Sequence, residues 1–188
     1  LDLTQAISFD MGGTTAKICL IDDFVAQRAR EFEVDRQARF RKGSGLPLRI
    51  PVIEMVEIGA GGGSIARVDA LNQITIGPDS AGADPGPAAY GRGGEQPTIT
   101  DADIHLGRID PDRFAGGQVP LSPDRAEAVL MADIGKKLDL SSQMAAYGVT
   151  EMVDETMANA ARVHAVEQGK AASDYTLIAF GGAGPLHV

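Results

Sequence analysis

The chain has 188 residues, of which 44% are hydrophobic and 23% charged, a size and balance suited to one soluble globular domain able to bury a core. Its formal net charge of -9 argues against an electrostatic nucleic-acid or anionic-membrane binder, because no basic surplus exists to neutralise phosphates, whereas a small anionic ligand needs only a local site. No apolar stretch approaches bilayer-spanning length, no charged-then-apolar leader opens the chain, and the single cysteine, Cys19, can form no internal disulfide, so a cytoplasmic protein is expected, with both ends cut from something longer.

Residues 6–9 and 16–21 read as two apolar strands of a hairpin around Asp10, Met11, Gly12, Gly13, Thr14 and Thr15, with Cys19 as plain core packing. From residue 28 to 49 the sequence turns polar, and Arg36, Arg39, Arg41 and Lys42 lead into Gly43 and Gly45, which predicts a mobile surface connection with a solvated basic cluster. Residues 50–58 form a strand candidate ending in the glycine-rich run 59–64, followed by a small hairpin of 65–68 and 74–76 around Asn72. Residues 77–100, rich in glycine and proline, have neither period and predict a long irregular loop of the kind that is functional or disordered. Ser122 and Pro123 predict a helix start, with Ala126, Val129, Leu130 and Ile134 on one face. Ser141 caps a further helical turn, and from Thr150 a longer helix buries Val149, Met152, Val153, Met157, Ala160 and Val163 and stops at Gly169. Residues 175–180 predict a buried strand feeding Gly181, Gly182, Ala183 and Gly184, with Pro185 opening a further helix. The order gives a mixed α/β layer without internal repeats.

Two segments carry chemistry. At the first hairpin a carboxylate, Asp10, stands at a strand end beside glycines whose N–H groups can approach an oxyanion; Asp10 suits Mg2+ or the orientation of an attacking group, Thr14 and Thr15 suit phosphate oxygens, and Lys17 adds charge if it faces the cleft. The competing reading is an ordinary hairpin with Lys17 in solvent. The loop of Gly181, Gly182 and Gly184 follows a strand and precedes a helix, as a phosphate- or sugar-binding loop does, although a tightly packed turn reads the same way, and His187 beyond it reads as structural. The run 59–64 is not a dinucleotide fingerprint, since a strand follows it; a close backbone approach to a ligand or to a neighbouring strand is favoured over a flexible bend. Asp101, Asp103 and His105 alternate, but a cap by Thr100 or Asp101 is preferred to a metal site.

Taken together, the segments FDMGGTTAKICLID from Phe9, VEIGAGGGSIARVD from Val56, IGPDSAGADPGPAAYGRGG from Ile76, PTITDADIHLGRIDPDRFAGG from Pro97 and LIAFGGAGPLHV from Leu177 resemble the hydantoinase A, 5-oxoprolinase and acetone carboxylase family over essentially the whole chain. The resemblance implies an α/β, ribonuclease-H-like half of an actin-like ATPase, with residues 1–188 as the second half and an irregular glycine- and proline-rich insertion at about 59–120. On that view Asp10 is catalytic and binds Mg2+. Gly12, Gly13, Thr14, Thr15 and Lys17 form the second phosphate hairpin, and Gly181, Gly182 and Gly184 belong to the adenosine-side loop. The first phosphate hairpin is expected upstream, so these residues alone are expected to bind ATP weakly without turning it over. The family implies phosphorylation of the oxygen of a small carbonyl substrate, a cyclic amide or a ketone, to drive hydrolysis or carboxylation, with a B-type partner subunit in an oligomer. The Thr15, Ala16, Lys17 run departs from the Ser-Thr-Asp of many hydantoinases and is nearer the carboxylase-like branch. Ala89 stands where a cysteine is frequent, and Asp103 where asparagine is usual. The alternative is a non-catalytic structural or subunit-docking domain, or a nucleotide sensor, with the 77–100 loop binding the partner.

Overall fold

The computed structural model describes residues 3–34 and 43–188. Alternating apolar residues on both sides of a glycine turn give the hairpin of β1 (Gln5–Met11) and β2 (Ala16–Asp22), in which Asp10 lies opposite Lys17 and Met11 opposite Ala16. β3 (Val25–Ala26) folds back on the end of β2. Next come β4 (Arg28–Ala29) and β5 (Phe32–Val34), whose partners β7 (Val52–Ile53) and β6 (Leu46–Leu48) return antiparallel to them. β8 (Met55–Ile58) then pairs with the first half of β2, and β9 (Ser64–Val68) forms a hairpin with β10 (Ile74–Ser80). The turn between them has Asn72 left-handed at φ 57, and the Asp69 carboxylate accepts from the Leu71 and Gln73 N–H groups.

Four helical segments follow: α1 (Ile99–His105), α2 (Pro123–Leu130), which runs on through one π turn into α3 (Lys136–Leu138), and the long α4 (Ser142–Glu167). β11 (Thr176–Phe180) closes the chain beside β1 and parallel to it, giving a mixed sheet ordered β11-β1-β2 with β3 and β8 sharing the far edge of β2. Cross-strand partners share a face. One face therefore carries Ile7, Phe9, Met11, Ala16, Ile18, Leu20 and Ile58, which join Val149, Val153, Met157 and Ala160 of α4 in one buried cluster. The other face carries Ser8, Asp10, Lys17 and Glu57, none of them fully buried.

Local signals placed most elements well. Ser122 and Ser141 are the caps expected of them, their hydroxyls accepting from the Arg125 and Met144 N–H groups, and Gly169 follows α4 at φ 70. Cys19 is buried in the sheet, as expected. Other expectations are corrected. The described part of 28–49, expected as a surface connection, is largely exposed and carries the short paired strands β4, β5 and β6, while Arg36, Arg39, Arg41 and Lys42 lie outside the described residues. The strand expected over 50–58 is two, broken at Glu54. Residues 77–100 are not structureless: β10 extends to Ser80, residues 86–89 are buried, and α1 begins at Ile99. α4 starts at Ser142 and not near Thr150, running through Gly148, where a side chain would meet Ile74 Cδ1 at 2.7 Å; glycine there lets the helix close on β10. Met152 faces outward, 38% exposed, and the half-buried Val163 yields the core to the neighbouring His164 and Ala165. β11 is an edge strand, with Leu177 and Phe180 46% and 45% exposed, so it is not the buried strand that its apolar run suggests. After it, Pro185 sits in a 3-10 turn. No helix among the described residues is long and apolar enough to cross a membrane.

Candidate functional site

Three glycine segments meet at the Asp10 end of β1. The parallel pairing of β1 with β11 sets Asp10 beside Phe180, so residues 181–184 leave the sheet next to the carboxylate. The Ala183 N–H donates to the Met11 carbonyl at 2.9 Å, and Gly181, at φ 89, lies so close to Asp10 Oδ1 and the Met11 carbonyl that no Cβ fits there. Asp10 and the glycine loop 181–184 are therefore neighbours and not on opposite sides of the fold.

The third segment, residues 59–64, backs the first hairpin. The Gly62 and Gly63 N–H groups donate to the Gly12 and Gly13 carbonyls at 3.0 and 2.7 Å, and Gly61 packs against the Thr14 backbone with no room for a side chain. Because a trans peptide sets C=O and N–H on opposite sides, carbonyls of Gly12 and Gly13 aimed at this backing turn the N–H groups of Gly13 and Thr14 away from it. The Gly12 N–H already donates to the Thr15 carbonyl at 3.1 Å. Gly12 thus contributes clearance, and Gly13 and Thr14 contribute donors. The close approach expected of residues 59–64 is to the neighbouring hairpin.

A Cβ added at Gly12, Gly13 or Gly182 would meet no atom within 4 Å, and none of the three has positive φ. Neither packing nor backbone conformation of this chain requires glycine at those positions. Thr14 is exposed, Thr15 half-buried, and Lys17, exposed and in register with Asp10 and Glu57, stands on the same sheet face as Asp10.

Sequence reasoning missed the supports behind these loops. Thr98, and not Thr100 or Asp101, is the N-cap of α1, in a reciprocal capping box with Asp101. The fully buried Asp101 carboxylate accepts from the N–H groups of Ala88 (3.2 Å), Ala89 (2.8 Å) and Thr98 (2.9 Å) and from the Thr98 hydroxyl (2.8 Å), which pins the proline-rich loop to α1; burial pushes its carboxyl above the usual carboxylate range against those donors. Ala89 is fully buried at this contact. The Thr100 N–H donates to the Gly62 carbonyl at 2.8 Å, and its Oγ1 would stand 2.6 Å from a Cβ at residue 62. The alternation of Asp101 and Asp103 suggested one face of a strand, yet on α1 their carboxylates serve different partners.

Asp103 meets His187. The imidazole is fully enclosed, its Nδ1 2.7 Å from Asp154 Oδ1 and its Nε2 3.3 Å from Asp103 Oδ2; the second contact is an ion pair lying off the hydrogen-bond axis, since Nε2 has no aligned acceptor. Burial opposes the charge on His187, but the two carboxylates outweigh it and raise the pKa from 6.5 to about 9. Asp103 and Asp154 are the charged groups against the ring, and Arg108 pairs with Asp103 at 3.4 Å. A histidine whose folded pKa exceeds its unfolded one stabilises fully below pH 6.5 and loses that contribution as pH rises through about 9. Denaturant titrations across this window should show stability falling by on the order of 2 kcal/mol, and His187→Gln should flatten the slope; a wild-type slope retained in the variant would assign it to another group.

The Hydantoinase/oxoprolinase family matches residues 1–188. The chain belongs to that family. It is 35% identical over 193 residues to the acetophenone carboxylase gamma subunit of Aromatoleum aromaticum, a match covering 100% of this chain and 25% of the relative. It is also 35% identical over 186 residues to the caprolactamase subunit alpha of Pseudomonas jessenii, covering 99% of this chain and 25% of the relative. Among solved structures, a nucleotide-free acetone carboxylase whose description concerns ATP-dependent acetone carboxylation superposes with a TM-score of 0.86 at 32% identity, covering 99% of this chain and 25% of that one. The ATP-dependent caprolactamase of Pseudomonas jessenii superposes with a TM-score of 0.80 at 33% identity, covering 98% and 26%. This hydantoinase/oxoprolinase-family chain thus spans about a quarter of the length of these relatives.

Proposed function

We propose that this chain supplies half of the nucleotide site of an ATP-dependent enzyme that phosphorylates the oxygen of a small carbonyl compound, a cyclic amide such as hydantoin or 5-oxoproline or a ketone, to drive its hydrolysis or carboxylation. The chain is then the second, ribonuclease-H-like half of an actin-like ATPase domain, with residues at about 59–120 as its insertion and an upstream half closing on it. A B-type partner subunit and an oligomeric assembly complete it. The observation that carries the reading is that residues 59–64 back the hairpin turn 12–15 while residues 181–184 border Asp10, with open space at three glycines that nothing within the chain requires. The relatives' descriptions as ATP-dependent enzymes and as lettered subunits support it.

The residues present fit ATP and Mg2+: hydroxyl and carboxylate oxygens suit a hard cation, and the clearance at Gly12, Gly13 and Gly182 admits a phosphate chain. When bound, ATP supplies the phosphoryl group and Mg2+ neutralises its charge. The chain's own part is positioning and charge. Asp10 would hold the cation, directly or through water, or orient the attacking oxygen. The N–H groups of Gly13 and Thr14 and the hydroxyls of Thr14 and Thr15 would donate to phosphate oxygens, with Lys17 adding positive charge on the same face. Gly181, Gly182 and Gly184 would let the loop pass under the nucleoside.

Gly13→Ala tests this directly. Its Cβ would enter open space, so stability should change by no more than about 1 kcal/mol, while ATP affinity of the full-length enzyme should fall about tenfold. Calorimetric titration showing wild-type affinity in Gly13→Ala would place the phosphates elsewhere.

A further inference from the structure

We infer that His187 is a positioning residue for the glycine loop 181–184: by bridging Asp103 of α1 and Asp154 of α4 it sets the distance of that loop from Asp10. This rests on the nucleotide reading above. The loop is held at both ends. At its start Gly181 and Ala183 press on Asp10 and Met11. At its exit two consecutive residues are tied down by side chains from other elements. Arg108 Nη1 donates to the Leu186 carbonyl at 3.2 Å while reaching Asp103 Oδ1 at 3.4 Å, and the His187 ring is clamped between the two carboxylates.

α1 is the common mount. Its first turn holds residue 62 through the Thr100 N–H, and so the backing of the first hairpin; its fifth residue, Asp103, holds the exit of the last loop. Displacing His187 would shift residues 181–184 relative to the hairpin without touching any group that meets a ligand. The enclosed ring meets one acid from each of two helices, and this pair of ionic contacts favours one placement of the loop exit where apolar packing would tolerate several. Asp103 and Asp154 make the clamp ionic on both sides.

The test compares wild type, His187→Gln and Asp154→Asn in the full-length protein, by titration with ATP and by ATP turnover at saturating nucleotide. Both variants should raise the Kd for ATP, His187→Gln about tenfold, while turnover at saturation stays within about twofold. An unchanged Kd accompanied by a lower folded fraction would make His187 merely structural and overturn the inference alone. Absence of ATP binding in wild type would overturn the nucleotide reading and this inference with it, so the two failures are separable. If His187→Gln does not fold, Asp154→Asn, whose side chain is 31% exposed, decides by the same comparison.

Discussion

Asp10→Asn in the full-length enzyme is expected to lower ATP-dependent turnover by about 10³-fold while changing ATP affinity far less. The substitution keeps shape and half-buried packing against Gly181 but removes the charge that would hold Mg2+ or orient the attacking oxygen. A group acting mainly on the reacting atoms affects the rate at saturation more than binding, which separates this result from the affinity losses expected of Gly13→Ala and His187→Gln. Thermal denaturation should place Asp10→Asn close to wild type. Turnover within a few-fold of wild type would remove Asp10 from the chemistry and favour the alternative of a docking domain.

The second large effect is on stability. Asp101→Ala is expected to destabilise the domain by at least about 3 kcal/mol. The carboxylate is fully buried and satisfies three N–H groups and one hydroxyl, and alanine leaves all four without a partner and removes the capping box of α1. Because α1 also anchors residue 62 and His187, loosening it should disorder the glycine loops before the sheet, so proteolysis near residues 81–91 should appear at lower denaturant than loss of the α4 helical signal. Uniform two-state unfolding with a loss under about 1 kcal/mol would show that water replaces the carboxylate.

What was legible in the sequence was local. The β1–β2 hairpin, the serine caps at residues 122 and 141 and the glycine stop at 169 follow from preferences that act within a few residues. A strand after residues 59–64 excluded the dinucleotide fold for the same reason, since periodicity changes within one turn. The candidate residues Asp10, Gly12, Gly13, Thr14, Thr15, Lys17, Gly181, Gly182 and Gly184 are likewise proposals drawn from two short segments.

A longer helix was expected from Thr150, whereas α4 runs back to Ser142 through Gly148, whose open face packs against Ile74 of β10, a contact that no local preference records. The apolar run of β11 was read as buried because hydrophobicity does not record what lies on a strand's far side. His187 was read as structural without a partner, since Asp103 and Asp154 stand 84 and 33 positions before it and no local preference links them.

By itself the sequence determined the alternation that makes one sheet face apolar, the turns and caps, and the family, because each depends on neighbouring residues or on ordered motifs. Tertiary structure alone decided that residues 59–64 back the hairpin turn 12–15 and that residues 181–184 border the Asp10 carboxylate. It also decided that backing carbonyl contacts turn the Gly13 and Thr14 N–H groups outward and that a buried histidine is held between two acids. Those contacts join residues far apart in the chain, and their geometry is set by the pairing of β1 with β11 and the placement of α1, which no local window of sequence contains.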